Sequence, residues 1–139
     1  MPTKDVIHEA VKNALIKDGW TITADPYVID YDDLTLFADL AADRALAAEK
    51  EGRRIALEIK SFLGRSEVRE FETALGQYQL YRGLLEVTDP SRKLFLAVRD
   101  ATYDDFLQRP AIRLVVRRFQ VALVVVNVES EEINQWISD

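Results

Sequence analysis

RALAAEKEGRRIALEIK, residues 44–60, decides the fold. Two apolar, alanine-rich runs, 44–50 and 53–60, flank Glu51-Gly52. A glycine in a two-residue linker between alternating strands predicts a tight β-hairpin. A two-residue turn sets Lys50 opposite Arg53, Glu49 opposite Arg54, Leu46 opposite Leu57, Ala45 opposite Glu58 and Asp43 opposite Lys60. Paired residues share a face of the sheet, and successive residues alternate faces. One face then carries Leu46, Ala48, Ile55, Leu57 and Ile59, which is a consistent core side. The other carries Asp43, Ala45, Ala47, Glu49, Ala56, Glu58 and Lys60, combining acids and a lysine with small alanines.

Glu58-Ile59-Lys60 places a carboxylate and an ammonium two residues apart on that second face. Metal-assisted phosphodiester cleavage uses this pair: the carboxylate helps to hold a divalent cation, and the lysine orients water and offsets phosphate charge. Asp39 stands 19 residues before Glu58 and joins the same face if its strand continues without a bulge. The competing reading is a solvated face. Glu49–Arg54 and Asp43–Lys60 are then ordinary cross-strand pairs worth less than ~1 kcal/mol each.

Outward from the hairpin, the periodicities predict a helix over 5–17 stopped by Asp18-Gly19, and strands over 20–23 and 34–40. Ser66 is the expected N-cap of a long helix, with Glu67 and Glu70 in its first turn and Asp89-Pro90 ending it. A strand over 94–98, short helices over 102–107 and 111–118, and a β-branched strand over 121–128 follow. The tail, 131–137, suits either a strand or a helix that packs Trp136. This order predicts an α/β (α+β) fold with a central mixed sheet, in one domain over residues 1–139.

Composition narrows the chemistry. With no cysteine there is no disulfide, thiolate metal site or cysteine nucleophile, and one histidine argues against a histidine-rich zinc site. The net charge of −6 argues against tight non-specific DNA binding by the chain alone. A local basic patch can still serve, and Arg53, Arg65, Arg69, Arg113, Arg117 and Arg118 are candidate contacts to a DNA backbone. The N-terminus lacks a signal-peptide layout, and the longest apolar run, 121–126, is far short of a membrane span. The expectation is a soluble, cytoplasmic protein. Gln77 and Tyr81 lie one turn apart on the long helix, where an amide and a phenol can bond phosphate oxygens or support the lysine. The plainer alternative makes Tyr81 core and Gln77 surface.

Asp39, Glu58 and Lys60 resemble the acid…E-x-K motif of the PD-(D/E)XK nuclease superfamily, with Ala38 where the eponymous proline would stand. Gln77 and Tyr81 match the Q-x-x-x-Y helix motif of its RecB-like branch. The resemblance implies a restriction-endonuclease-like fold, with Mg²⁺ or Mn²⁺ held by Asp39, Glu58 and the carbonyl of Ile59. It makes Lys60 the residue that positions water, and gives Gln77 and Tyr81 the scissile phosphate or Lys60. Glu9 or His8 on the first helix is a further candidate contact.

A resemblance to the XisH family covers almost the whole chain. It is carried by Lys4-Asp5-Val6-Ile7-His8, by residues 11–20 and 48–53, by Glu58-Ile59-Lys60-Ser61-Phe62 and by Ala74-Leu75-Gly76-Gln77-Tyr78. It implies a controlling factor for excision of the fdxN DNA element in cyanobacterial heterocyst differentiation. DNA, a site-specific recombinase and a small XisI-type protein are the implied partners. Two alternatives stay open: a non-catalytic accessory on a nuclease scaffold, and the nuclease half of a toxin–antitoxin or defence pair. A homodimer joined through Trp136 or residues 103–106 is a further possibility, against the simpler view that these residues seal the core.

Overall fold

The computed structural model describes residues 3–36 and 45–138. Helix α1 (Lys4–Lys17) opens the chain, and the Thr3 hydroxyl caps it by accepting from the Val6 amide at 3.2 Å. Strand β1 (Thr21–Ala24) follows, then a small hairpin, β2 (Ile29–Tyr31) and β3 (Leu34–Leu36). Strands β4 (Ala45–Lys50) and β5 (Arg53–Ile59) form the decisive hairpin. Helix α2 (Glu67–Thr88) leads to β6 (Arg92–Arg99). The short α3 (Asp100–Asp104), a single 3-10 turn (Phe106–Gln108) and α4 (Pro110–Arg118) lead to β7 (Leu123–Asn127) and β8 (Glu132–Ile137).

Among the described residues, six strands form one sheet in the order β1-β4-β5-β6-β7-β8, and β2-β3 form a separate pair. The β5-β6 and β6-β7 pairs are parallel and the other neighbours antiparallel, so the sheet is mixed. The β4-β5 register is the one read from the sequence, from Lys50↔Arg53 to Ala45↔Glu58. Glu51 and Gly52 both have positive φ, +50° and +80°, as a tight hairpin that matches strand twist requires. Gly52 takes its conformation without side-chain strain.

Both crossovers between parallel strands lie on one face. There α2, the 3-10 turn and α4 cover Ala56, Leu94, Leu96, Leu123 and Val125. On the opposite face α1 covers Leu46, Ile55, Leu57, Ile59, Phe95 and Val124. Tyr78 ties α2 to the sheet: its hydroxyl donates to the Leu94 carbonyl at 3.2 Å and accepts from the Ala122 amide at 3.0 Å. At the far end of α2, Asp89 accepts from Arg54 at 2.7 Å and from Arg92 at 3.0 Å, and Arg92 donates to the Ile55 carbonyl at 2.8 Å. Burial alone would raise the Asp89 pKa, but the hydrogen bonds from Arg92 and Ser91 and the charges of Arg54 and Arg92 lower it.

Several expectations are refined. Strand β1 begins after Trp20, whose amide still closes the end of α1 by donating to the Leu15 carbonyl at 2.9 Å, while its ring packs 5.6 Å from that of Trp136. The strand expected over 34–40 is described only to Leu36, where it pairs with β2 rather than with the main sheet. The helix expected over 102–107 divides into α3 and the 3-10 turn, and the tail is a strand. Trp136 packs on Trp20 and Phe95, and Phe106 is fully buried. None of the helices in the described residues is long and apolar enough to cross a membrane.

Candidate functional site

Strand β5 carries Glu58 and Ile59 to its carboxyl end, beside parallel β6. Glu58 is level with Leu96, and Ile59 with Ala97. The next amide, that of Lys60, donates to the Ala97 carbonyl at 3.0 Å, which extends the ladder by one bond. Open α/β sheets bind ligands outside the carboxyl ends of their parallel strands.

Alternation turns Ile59 toward α1, where it is 2% exposed, and turns Glu58 toward the opposite side. Glu58 is fully buried and Lys60 only 7% exposed, with Lys60 Nζ 3.6 Å from Glu58 Oε1. The solvated-face reading therefore fails for this half of the hairpin. Taking a carboxylate and an ammonium out of water costs several kcal/mol per ion, and their mutual attraction often fails to recover it. Alanines 47 and 56, paired across the hairpin, lie on the same face and are buried.

After Lys60 the backbone turns sharply. Ser61 is 1% exposed, and its hydroxyl has no hydrogen-bond partner among the described residues. Phe62 has φ +53°, a left-handed conformation unusual for a bulky residue. Its ring is held in the core 5.8 Å from that of Phe106, which offsets the strain. Gly64 then donates its amide to Glu70 at 2.8 Å, fastening the loop to the first turn of α2. A Cβ at Gly64 would meet the Glu70 carboxylate at 2.9 Å.

Of the α2 candidates, Tyr81 is core, 4% exposed, in the cluster that covers this face. Gln77 is half-buried, and its Oε1 is a buried acceptor with no partner among the described residues. Asp39 and Asp43 lie outside the described residues. Among the described residues, no three His, Asp or Glu side chains converge as a metal cluster. The Glu58 carboxylate, the Ser61 hydroxyl and the Gln77 amide oxygen are buried oxygen atoms of the kind a hard divalent cation takes, and the chain has no thiol.

His8 and Glu9 are not brought to Glu58. Glu9 is exposed. His8 is buried against Asp25, with Nε2 and Oδ2 3.1 Å apart, and Lys12 donates to the same oxygen at 3.0 Å. Burial would raise the Asp25 pKa, yet the His8 and Lys12 hydrogen bonds and charges bring it below the usual value. The sequence reading overlooked this anchor. Its signal was His8 and Lys12 one helical turn apart, with an aspartate at the break after β1. A cavity of about 580 Å³ lies elsewhere, lined by Tyr78, Arg82, Arg92, Lys93 and Gln120 near the start of β6.

Fold and site together define a class: a mixed-sheet α/β protein that buries an acid–lysine pair at the carboxyl end of a parallel strand. The XisH protein family model matches residues 1–134, and the chain belongs to the XisH family. The crystal structure of an XisH family protein from Nostoc punctiforme superposes with a TM-score of 0.89 at 44% identity, covering 96% of this chain and all of that one. That of an fdxN element excision controlling factor protein from Anabaena variabilis gives 0.89 at 45% identity, covering 96% of this chain and 99% of that one. No curated protein matches the sequence.

Proposed function

We propose that this chain is a controlling factor for excision of the fdxN element, with a metal-dependent endonuclease-like site that acts on DNA phosphodiesters. The observation that carries the enzymatic part is the burial of Glu58 beside Lys60 at the end of β5. A structural pair in that position would be better replaced by apolar residues. The name of the Anabaena variabilis relative supports the biological role. The resemblance of the motif to PD-(D/E)XK nucleases supports the chemical one.

In this reading Glu58, Asp39 and the Ile59 carbonyl hold Mg²⁺ or Mn²⁺. The cation, when bound, supplies Lewis-acid activation of the phosphate and of water. Lys60 orients the attacking water and stabilises the charge that develops on phosphorus. Gln77, with an amide oxygen still available, and Tyr81 support Lys60 or the scissile phosphate. An XisI-type protein and a site-specific recombinase are the proposed partners.

The net charge of −6 favours a second reading, a non-catalytic accessory that acts through protein contacts. Purified protein, alone and with its XisI-type partner, should cut duplex or branched DNA in Mn²⁺, and Lys60→Met should not. Excision in cells fully rescued by the Lys60→Met protein would establish the accessory role instead.

A further inference from the structure

We infer that the exposed side of α4 is a track for the phosphate backbone of duplex DNA, leading away from the rim of the Glu58–Lys60 site. The inference rests on the DNA-directed reading of that site, which it deepens by naming the surface that holds the substrate.

Charge is unevenly distributed in this chain. Of eighteen Lys and Arg residues, four (Arg109, Arg113, Arg117 and Arg118) fall within ten positions that contain no acid, although acids outnumber bases 24 to 18 overall. Asp104 and Asp105 precede this segment, and from Arg109 to Gln120 there is no carboxylate. Helix α4 buries its other side: Ile112, Val115 and Val116 pack on the core. Arg113 and Arg117 are one turn apart, with Arg118 and Leu114 flanking them, and all four are exposed. Among the described residues none of these three arginines has an ion-pair partner. An acidic protein that leaves three cations unneutralised on one helix face has kept them for an external anion.

The geometry connects that face to the site. Arg109, which precedes α4, reaches Glu67 in the first turn of α2 at 3.6 Å. That turn is fastened by Glu70 to Gly64, four residues after Lys60. Arg65 and Arg69, both exposed, lie on the same loop and turn. A polyanion with charges repeating every few ångströms fits successive arginines spaced about 6 Å along a helix axis. A guanidinium also offers forked donors to phosphate oxygens.

The test is binding of a labelled duplex in Ca²⁺ across a salt series, by the whole protein and two double variants. Arg113→Gln/Arg117→Gln should bind roughly tenfold or more weakly, with the slope of log affinity against log salt reduced by about two. Arg113→Lys/Arg117→Lys keeps the charge and should keep the slope. An unchanged slope in the Gln pair, an equal loss in the Lys pair, or no duplex binding by wild type even at low salt would overturn the track. The site reading has a separate readout, the heat of Mn²⁺ binding and its loss in Glu58→Gln. Absent heat with a reduced slope in the Gln pair would sink the nuclease site and leave the track standing. Normal heat with an unchanged slope would do the reverse.

Discussion

The β4-β5 hairpin carries two acid–base pairs, and they behave oppositely. At the turn end, Glu49 and Arg54 face each other 3.9 Å apart, with side chains 44% and 36% exposed. At the other end, Glu58 and Lys60 are 3.6 Å apart, with side chains 0% and 8% exposed. Their distances are similar, and burial is the largest difference between them. In water a pair contributes a few tenths of a kcal/mol, because solvent and salt screen it. Out of water the same charges destabilise the fold unless something more than their mutual attraction compensates. The Glu49–Arg54 pair needs no explanation beyond the strand, whereas the Glu58–Lys60 pair calls for a functional one.

The sharpest way to break the comparison is catalytic. Lys60→Met should reduce Mn²⁺-dependent cleavage by at least about a hundredfold, and Glu49→Gln should leave it unchanged, as read from initial rates on one duplex. Stability gives the next largest contrast. Glu58→Leu alone removes the carboxylate beside a buried ammonium and should cost about 3–5 kcal/mol, whereas Glu58→Leu/Lys60→Met should recover that loss or exceed wild type. Urea unfolding of the full double-mutant cycle measures the coupling. A double variant as unstable as the single would mean that the pair is structural after all.

Asp89 is an intermediate case, since Arg54 joins it to the exposed pair. Its carboxyl titrates below the usual value in the fold, so its contribution is fully present above the unfolded value of 3.8 and is lost as pH falls through the lowered folded value. Asp89→Asn should therefore cost about 1–2 kcal/mol at neutral pH, and melting curves of the two proteins should converge at acid pH. The smallest effect belongs to Glu49→Gln, below about 0.5 kcal/mol and vanishing in high salt.

The hairpin was legible because its information is local. Glu51-Gly52 sets the register, and register sets the face of every residue up to Glu58. Helix α2 was legible for the same reason, through Ser66 and the acids after it. Burial of Glu58 was not legible: alternation assigns a face but not what covers it. The core on that side of the sheet gathers α2 with Phe62 and Phe106, residues far apart in the chain. The β2-β3 hairpin escaped because three-residue strands carry too little periodicity, and its turn uses Asp32 at φ +53° rather than a glycine. The His8–Asp25 contact spans 17 residues and depends on how α1 lies over β1, which no pattern in either segment states.

Tyr78 carries a mechanical consequence. Its hydroxyl sits between the Leu94 carbonyl and the Ala122 amide, just before the point where β6 and β7 begin to pair at Leu96↔Leu123. A helix side chain thus serves as a rung in the ladder of two parallel strands. Sliding α2 along its axis would unzip that end of the sheet, so Gln77, the adjacent residue, is indexed to the strands as a tooth on a gear is indexed to its shaft.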